Sequence, residues 1–149
     1  MSKNKILLIY PKTEDCPWHW IPHAGLNIAQ GLNDQGFEVV VWDQRVQPLD
    51  ELMVELKENI LCVGISAMVG SQIRNGLAIA KHIRNVLGDV PLVWGGPFIT
   101  AEPDLSLKDP FVDIIVCGPG ELAMIEVAKD IVNGVQKKVY KGKILDINT

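Results

Sequence analysis

ILCVGISAMVGSQIRNGLAIAKHIRNVLGDVPLVWGG, residues 60–96, holds two apolar runs of strand length, ILCVGIS (60–66) and VPLVWG (90–95). Between them, SQIRNGLAIAKHIRNVLG (71–88) places Ile73, Leu77, Ala80, Ile83 and Leu87 at helical spacing. Strands that are apolar at consecutive positions, rather than alternating, fit a sheet covered on both faces. Strand, helix and strand in this order predict two parallel strands joined by a right-handed crossover.

The same alternation extends in both directions. KILLIY (5–10) and FEVVVWD (37–43) precede the unit and VDIIVCG (112–118) follows it, which makes five predicted strands. AGLNIAQGLNDQ (24–35) carries Leu26, Ile28, Ala29 and Leu32 near one side, with Gly36 as a stop. LDELMVELKEN (49–59) repeats Leu49, Leu52, Met53 and Leu56, and ELAMIEVAKDIVNG (121–134) closes on Gly134. The connection 101–110 contains two prolines and is predicted to be short and irregular. The expected architecture is α/β: a single domain over 1–149, core about 5–133, with a doubly wound five-stranded parallel sheet in the flavodoxin-like order 2-1-3-4-5. Ligands of such sheets bind at the carboxyl ends of the strands. The loops to read are therefore 11–23, 66–71, 95–101 and 118–121.

Composition removes several classes of function. With 149 residues, 48% of them hydrophobic, the chain can bury a core without covalent staples. A net charge of −4 with scattered Lys and Arg argues against nucleic-acid binding and against an anionic membrane surface. The three cysteines, Cys16, Cys62 and Cys117, form no CxxC pair, so neither a disulfide framework nor a cysteine-only metal site is expected. MSKNKILLIYP has too short an apolar run for a membrane helix and no signal-peptide cleavage pattern, which points to a cytoplasmic protein.

The familiar ligands of doubly wound sheets fail at the residues that would carry them. A dinucleotide site wants GxGxxG after the first strand, but Tyr10-Pro11-Lys12 stands there, with no glycine until Gly25. PKTEDCPWHWIPH is not a hydroxyl- and glycine-rich flavin phosphate loop. A phospho-receiver would end its third strand in aspartate, and this one ends in Ser66. Cys16 and His19 lie close in sequence, but a thiolate–imidazole couple depends on spatial geometry, and a plain loop Cys beside a loop His explains them. His82, between Lys81 and Arg84 in the helix pattern, reads as a solvated surface residue.

Taken together, SAM (66–68), GG (95–96) and the second glycine set in VDIIVCGPGE resemble the cobalamin (B12)-binding domain, which carries a Ser-x-Leu type element after strand three and Gly-Gly after strand four. GISAMVGSQIRNGLAIAKHIR followed by LVWGGPFITAEPD resembles more specifically the N-terminal B12 domain of cobalamin-dependent radical SAM enzymes, mostly methyltransferases with some cyclases. The resemblance covers roughly residues 5–133.

The resemblance implies cobalamin as the cofactor, its corrin across the strand ends and its benzimidazole nucleotide tail in a slot beside the sheet. Ser66 would hydrogen-bond the buried tail, and Gly95, Gly96 and Pro97 would let backbone approach it. Gly118 and Gly120 suit passage of the tail, and Glu121 either bonds its sugar hydroxyls or caps its own helix. Met68, Val69, Gly70 and Gln72, in the loop AMVGSQ (67–72), are placed under the lower face of the corrin. Trp20, with Trp18, packs either on the corrin or in ordinary burial. Thr13, Glu14 and Asp15 either bond corrin amides or are simply solvated. The Asp-x-His-x-x-Gly element of methionine-synthase-type proteins is missing: with Gly25 aligned to its glycine, Trp20 and Pro22 stand at the Asp and His positions, and His23 is one residue off. This departure implies a base-off, His-off cofactor. Met68 and Val69 offer no strong donor, which favours low-coordinate cob(I)alamin; the rival is His19 or His23 swinging in as a ligand.

No CxxxCxxC for a [4Fe–4S] cluster is present. The cluster and S-adenosylmethionine would belong to a downstream radical SAM domain in cis, of which these 149 residues would be the cofactor-binding module. The alternatives are a free-standing corrinoid carrier or sensor, and a flavodoxin-like interaction domain with no cofactor. No residue of this chain is expected to be catalytic or to ligate metal.

Overall fold

The structure, a computed structural model, describes residues 3–14, 21–48, 51–52, 59–68 and 70–143. Its strands are β1 (Lys5–Tyr10), β2 (Glu38–Asp43), β3 (Ile60–Ser66), β4 (Leu92–Gly95), β5 (Ile114–Cys117) and β6 (Val139–Lys141). Its helices are α1 (His23–Asp34), α2 (Ser71–Leu87), α3 (Pro97–Ala101), α4 (Pro103–Ser106) and α5 (Gly120–Asn133). Of the helix expected over 49–59, only Glu51, Leu52 and Asn59 are described: the first two are helical, with Leu52 fully buried, and Asn59 is not helical.

The strands form one sheet in the order β2-β1-β3-β4-β5-β6, and every pairing is parallel. The doubly wound α/β expectation therefore holds, but the sheet has six strands among the described residues, not five. The added strand is three residues long with exposed–buried–exposed alternation, so it lacks the continuous apolar run that marks the others. Tyr140 secures it: its side chain is buried, its hydroxyl accepts the Lys137 N–H at 2.9 Å and donates to Asp130 Oδ2 at 2.8 Å on α5. The connection 101–110 is also more regular than expected. Pro103 opens α4 as Pro97 opens α3, because the missing N–H costs nothing in a first turn.

Strand alternation sorts the core into two layers. Leu7 and Ile9 of β1 face the layer that receives Ile79, Ala80 and Ile83 from α2. Ile6 and Leu8 face the layer that receives Ala29 and Leu32 from α1 and Ala123, Met124, Val127 and Ala128 from α5. Each fully buried large apolar side chain contributes about 1.5–3 kcal/mol, so both layers hold the sheet against its helices. Trp94, 1% exposed, anchors the α2 layer, and its indole N–H donates to the Phe111 carbonyl at 2.9 Å. Gly76 lets α2 approach it: a Cβ there would lie 3.0 Å from the Trp94 ring. Arg84 of α2 pairs with Asp113, which also accepts the Leu92 N–H at 2.8 Å.

Candidate cofactor-binding site

At the carboxyl ends of β1, β3, β4 and β5 a cavity of about 420 Å³ opens, within the range of ordinary ligand pockets. Its depth is lined by Leu8, Gly64, Val93 and Val116 from the sheet, and by Ile28 of α1 and Met124 of α5. The strand and helix side chains among these belong to, or pack on, the α1/α5 layer. The cavity is thus a slot descending between the sheet and those two helices. Ser66, Gly95, Gly96, Gly118, Gly120 and Glu121 also line it, together with Met68, Pro97 and His23. The structure therefore brings together nine of the residues singled out from sequence.

The glycines divide by what demands them. Gly96 has φ +109°, and a Cβ there would sit 2.4 Å from the Ala67 carbonyl oxygen. Its missing side chain is required by the protein's own backbone. Gly95 is different: a Cβ would meet nothing closer than Val116 at 3.8 Å, so the space beside it is open to the cavity. At Gly120 a Cβ would meet only the flexible end of Ile28, at 2.9 Å. The turn at Gly118 is backed by Gly142, which donates its N–H to the Cys117 carbonyl at 2.7 Å.

Ser66, the last residue of β3, is half-buried, and its hydroxyl has no hydrogen-bond partner among the described residues. Glu121 lies in the first turn of α5, where a carboxylate is favoured by the helix dipole. His23 is exposed at the start of α1, on the cavity wall. Met68 is 43% exposed, and its sulfur receives the Tyr10 hydroxyl at 3.8 Å. Arg45 lies 4.6 Å over the Tyr10 ring and is bidentate to Asp43, closing a row of polar groups along the ends of β2, β1 and β3.

Gly70 and Gln72 do not line the cavity. Gln72 is fully buried; its Oε1 accepts the Met68 N–H at 2.7 Å and its Nε2 donates to the Pro11 carbonyl at 3.1 Å. Ser71 accepts the Glu14 N–H at 3.0 Å, and Asn75 donates to the Lys12 carbonyl at 2.7 Å. The first turn of α2 thus fastens the loop after β1 to the loop after β3. Cys16, Trp18, His19, Trp20 and Val69 fall outside the described residues, as does Asp15. His82 is half-buried, not a fully solvated residue as its sequence neighbours suggest. Cys62, wholly enclosed in β3, has its thiol pushed up to about 12 by burial and takes no part in the site. Among the described residues no three His, Cys, Asp or Glu side chains gather as a metal site, and no helix is long and apolar enough to cross a membrane.

Sequence reading passed over Gly64, Leu8, Tyr10 and Met124. Gly64 had a legible signal, since an isolated glycine inside a strand marks close approach of a ligand or another backbone. The others are core-type residues whose cavity position only the packing shows.

A doubly wound sheet with this slot at its strand ends is the frame on which the comparisons with known proteins fall. The B12 binding domain family matches residues 18–128, and the chain belongs to that family. It is 29% identical, over 95% of its own length, to the uncharacterized methyltransferase PH0819 of Pyrococcus horikoshii, of which it spans 32%. Its fold superposes with a TM-score of 0.73 and 26% identity on the radical S-adenosylmethionine methyltransferase TsrM of Kitasatospora setae. One of those structures holds cobalamin and a [4Fe-4S] cluster, the other the tryptophan substrate and a SAM analogue. Coverage is 89–91% of this chain but 26% of TsrM, so the chain spans about a quarter to a third of these relatives.

Proposed function

We propose that the chain binds cobalamin base-off and His-off and presents it, as a methyl-carrier module, to the radical SAM part of a longer methyltransferase. The observation that carries this reading is the slot between the sheet and helices α1 and α5, apolar along its depth and bordered by Ser66 and Gly95. The residues present fit the group. Leu8, Val93, Val116 and Met124 would enclose a flat apolar base, Ser66 offers its polar atom a hydroxyl that has no partner among the described residues, and Gly95 leaves the room a side chain would fill. The second glycine turn, at Gly118 and Gly120, and Glu121 would receive the sugar-phosphate part of the tail. Bound cobalamin supplies a cobalt centre able to accept and donate a methyl group. The chain's own part is to hold the tail away from cobalt and to keep water off the buried face of the slot. Met68 and Tyr10 would face the lower side of the corrin; neither offers an imidazole-type donor, which suits a cobalt with few ligands.

The test is reconstitution with hydroxocobalamin followed by desalting and a visible spectrum. Retained colour with a base-off-type spectrum, unchanged in His23→Ala and His19→Ala, is expected. A colourless protein removes the cobalamin reading; a clear spectral shift in either variant removes the His-off part of it.

A further inference from the structure

Beyond Val93–Ile114 and Trp94–Ile115 the β4–β5 ladder ends, and the two strands run on into the separate glycine turns that border the slot. One side chain spans them. Thr100, on α3, donates its hydroxyl to the Gly96 carbonyl at 3.1 Å, and the same oxygen accepts the Gly118 N–H at 2.9 Å. Its own backbone N–H also reaches the Gly96 carbonyl, at 3.1 Å. Gly96 and Gly118 both have positive φ, +109° and +83°, so neither turn is fixed by ordinary side-chain sterics.

We propose that Thr100 is a positioning residue that sets the separation of the Gly95–Gly96 and Gly118 turns, and so the width of the slot that receives the ligand's tail. It acts through the two backbone groups it bridges, not by touching the ligand. Both bonds need the hydroxyl: a donor toward Gly96 and a lone pair toward Gly118, which Ser also offers and Val does not. The inference rests on the cobalamin reading, because the width matters only to an occupant of that shape.

The experiment measures hydroxocobalamin affinity by visible titration for wild type, Thr100→Val and Thr100→Ser, together with amide exchange at Gly118 in the ligand-free protein. Loss of two exposed hydrogen bonds predicts affinity about tenfold weaker in Thr100→Val, restored in Thr100→Ser, with faster Gly118 exchange in the valine variant alone. A valine variant that binds like wild type, or a serine variant that binds as weakly as valine, overturns the role of Thr100. Wild-type protein that retains no cobalamin overturns the occupant itself, whatever the exchange at Gly118. A merely structural role would lower the melting temperature of Thr100→Val while leaving its affinity unchanged, and that outcome also overturns the proposal.

Discussion

Gln72→Leu isolates the clamp that joins the loops after β1 and β3. Leucine keeps most of the volume of a side chain with no exposed surface but removes both bonds, to the Met68 N–H and the Pro11 carbonyl. The Pro11 acceptor is buried and loses its only side-chain donor among the described residues; an orphaned buried group costs about 1–3 kcal/mol. The Met68 N–H lies nearer solvent, and water can replace part of its bond, for about another 0.5–1 kcal/mol. A net loss of about 2–3 kcal/mol lowers the melting temperature of a domain this size by roughly 4–12 °C. Gln72→Glu adds a sign. It keeps the acceptor for Met68 but, when ionised, turns a carboxylate oxygen toward the Pro11 carbonyl. Burial and that carbonyl both raise its folded-state pKa above the ordinary value of about 4.3. The native state then binds more protons than the unfolded one, so the stability of this variant falls as pH rises from about 4 toward neutrality. Thermal unfolding by circular dichroism at pH 5 and pH 7.5 reads both effects. A Gln72→Leu variant melting within about 1 °C of wild type, or a Gln72→Glu variant more stable at pH 7.5 than at pH 5, refutes the clamp.

The glycines give a contrast. Gly96→Ala meets the Ala67 carbonyl and a strained φ, and should lose at least about 2 kcal/mol in chemical denaturation. Gly64→Ala meets the end of the Leu8 side chain rather than backbone and should cost about 1 kcal/mol, the low end for overpacking, while weakening cobalamin binding, because its methyl narrows the slot. Cys62 should resist iodoacetamide at pH 8, with mass spectrometry reporting label only on denaturation, since its thiol is enclosed and pushed up to about 12. Folding retains that proton, so stability is unaffected below the thiol's ordinary 9.0 and declines as pH rises toward 12. Tyr140→Phe should cost about 1 kcal/mol by freeing Lys137 and Asp130. The wild-type phenol, raised first by burial and further by Asp130, should titrate later in alkaline ultraviolet spectra than a free tyrosine.

Much of this was written in the sequence, and the omissions have physical causes. β1 and β3 were legible because the central residues of KILLIY and ILCVGIS are buried on both faces and so form unbroken apolar runs. β6 was not, because its one buried residue gives a three-residue edge strand no pattern. The prolines of 101–110 read as breakers, yet Pro103 starts a helix. At the site, the motif glycines and Ser66 were legible by spacing, but spacing cannot separate a glycine the backbone needs, Gly96, from one that leaves a cavity open, Gly95. Gln72 was read as a ligand contact because it sits in the right loop. Its burial and its two backbone partners belong to tertiary packing, which no local pattern reports.

The brevity of β6 also bears on what that edge of the sheet offers to another strand. A sheet's outer edge offers unpaired backbone groups to any passing strand. Here that edge is three residues long, and the run KKVYKGK sets Lys137, Lys138, Lys141 and Lys143 around it, with Val139 and Tyr140 between. Two copies approaching through this edge would share a ladder of only three residues, with Lys138 and Lys141 of each copy set along it.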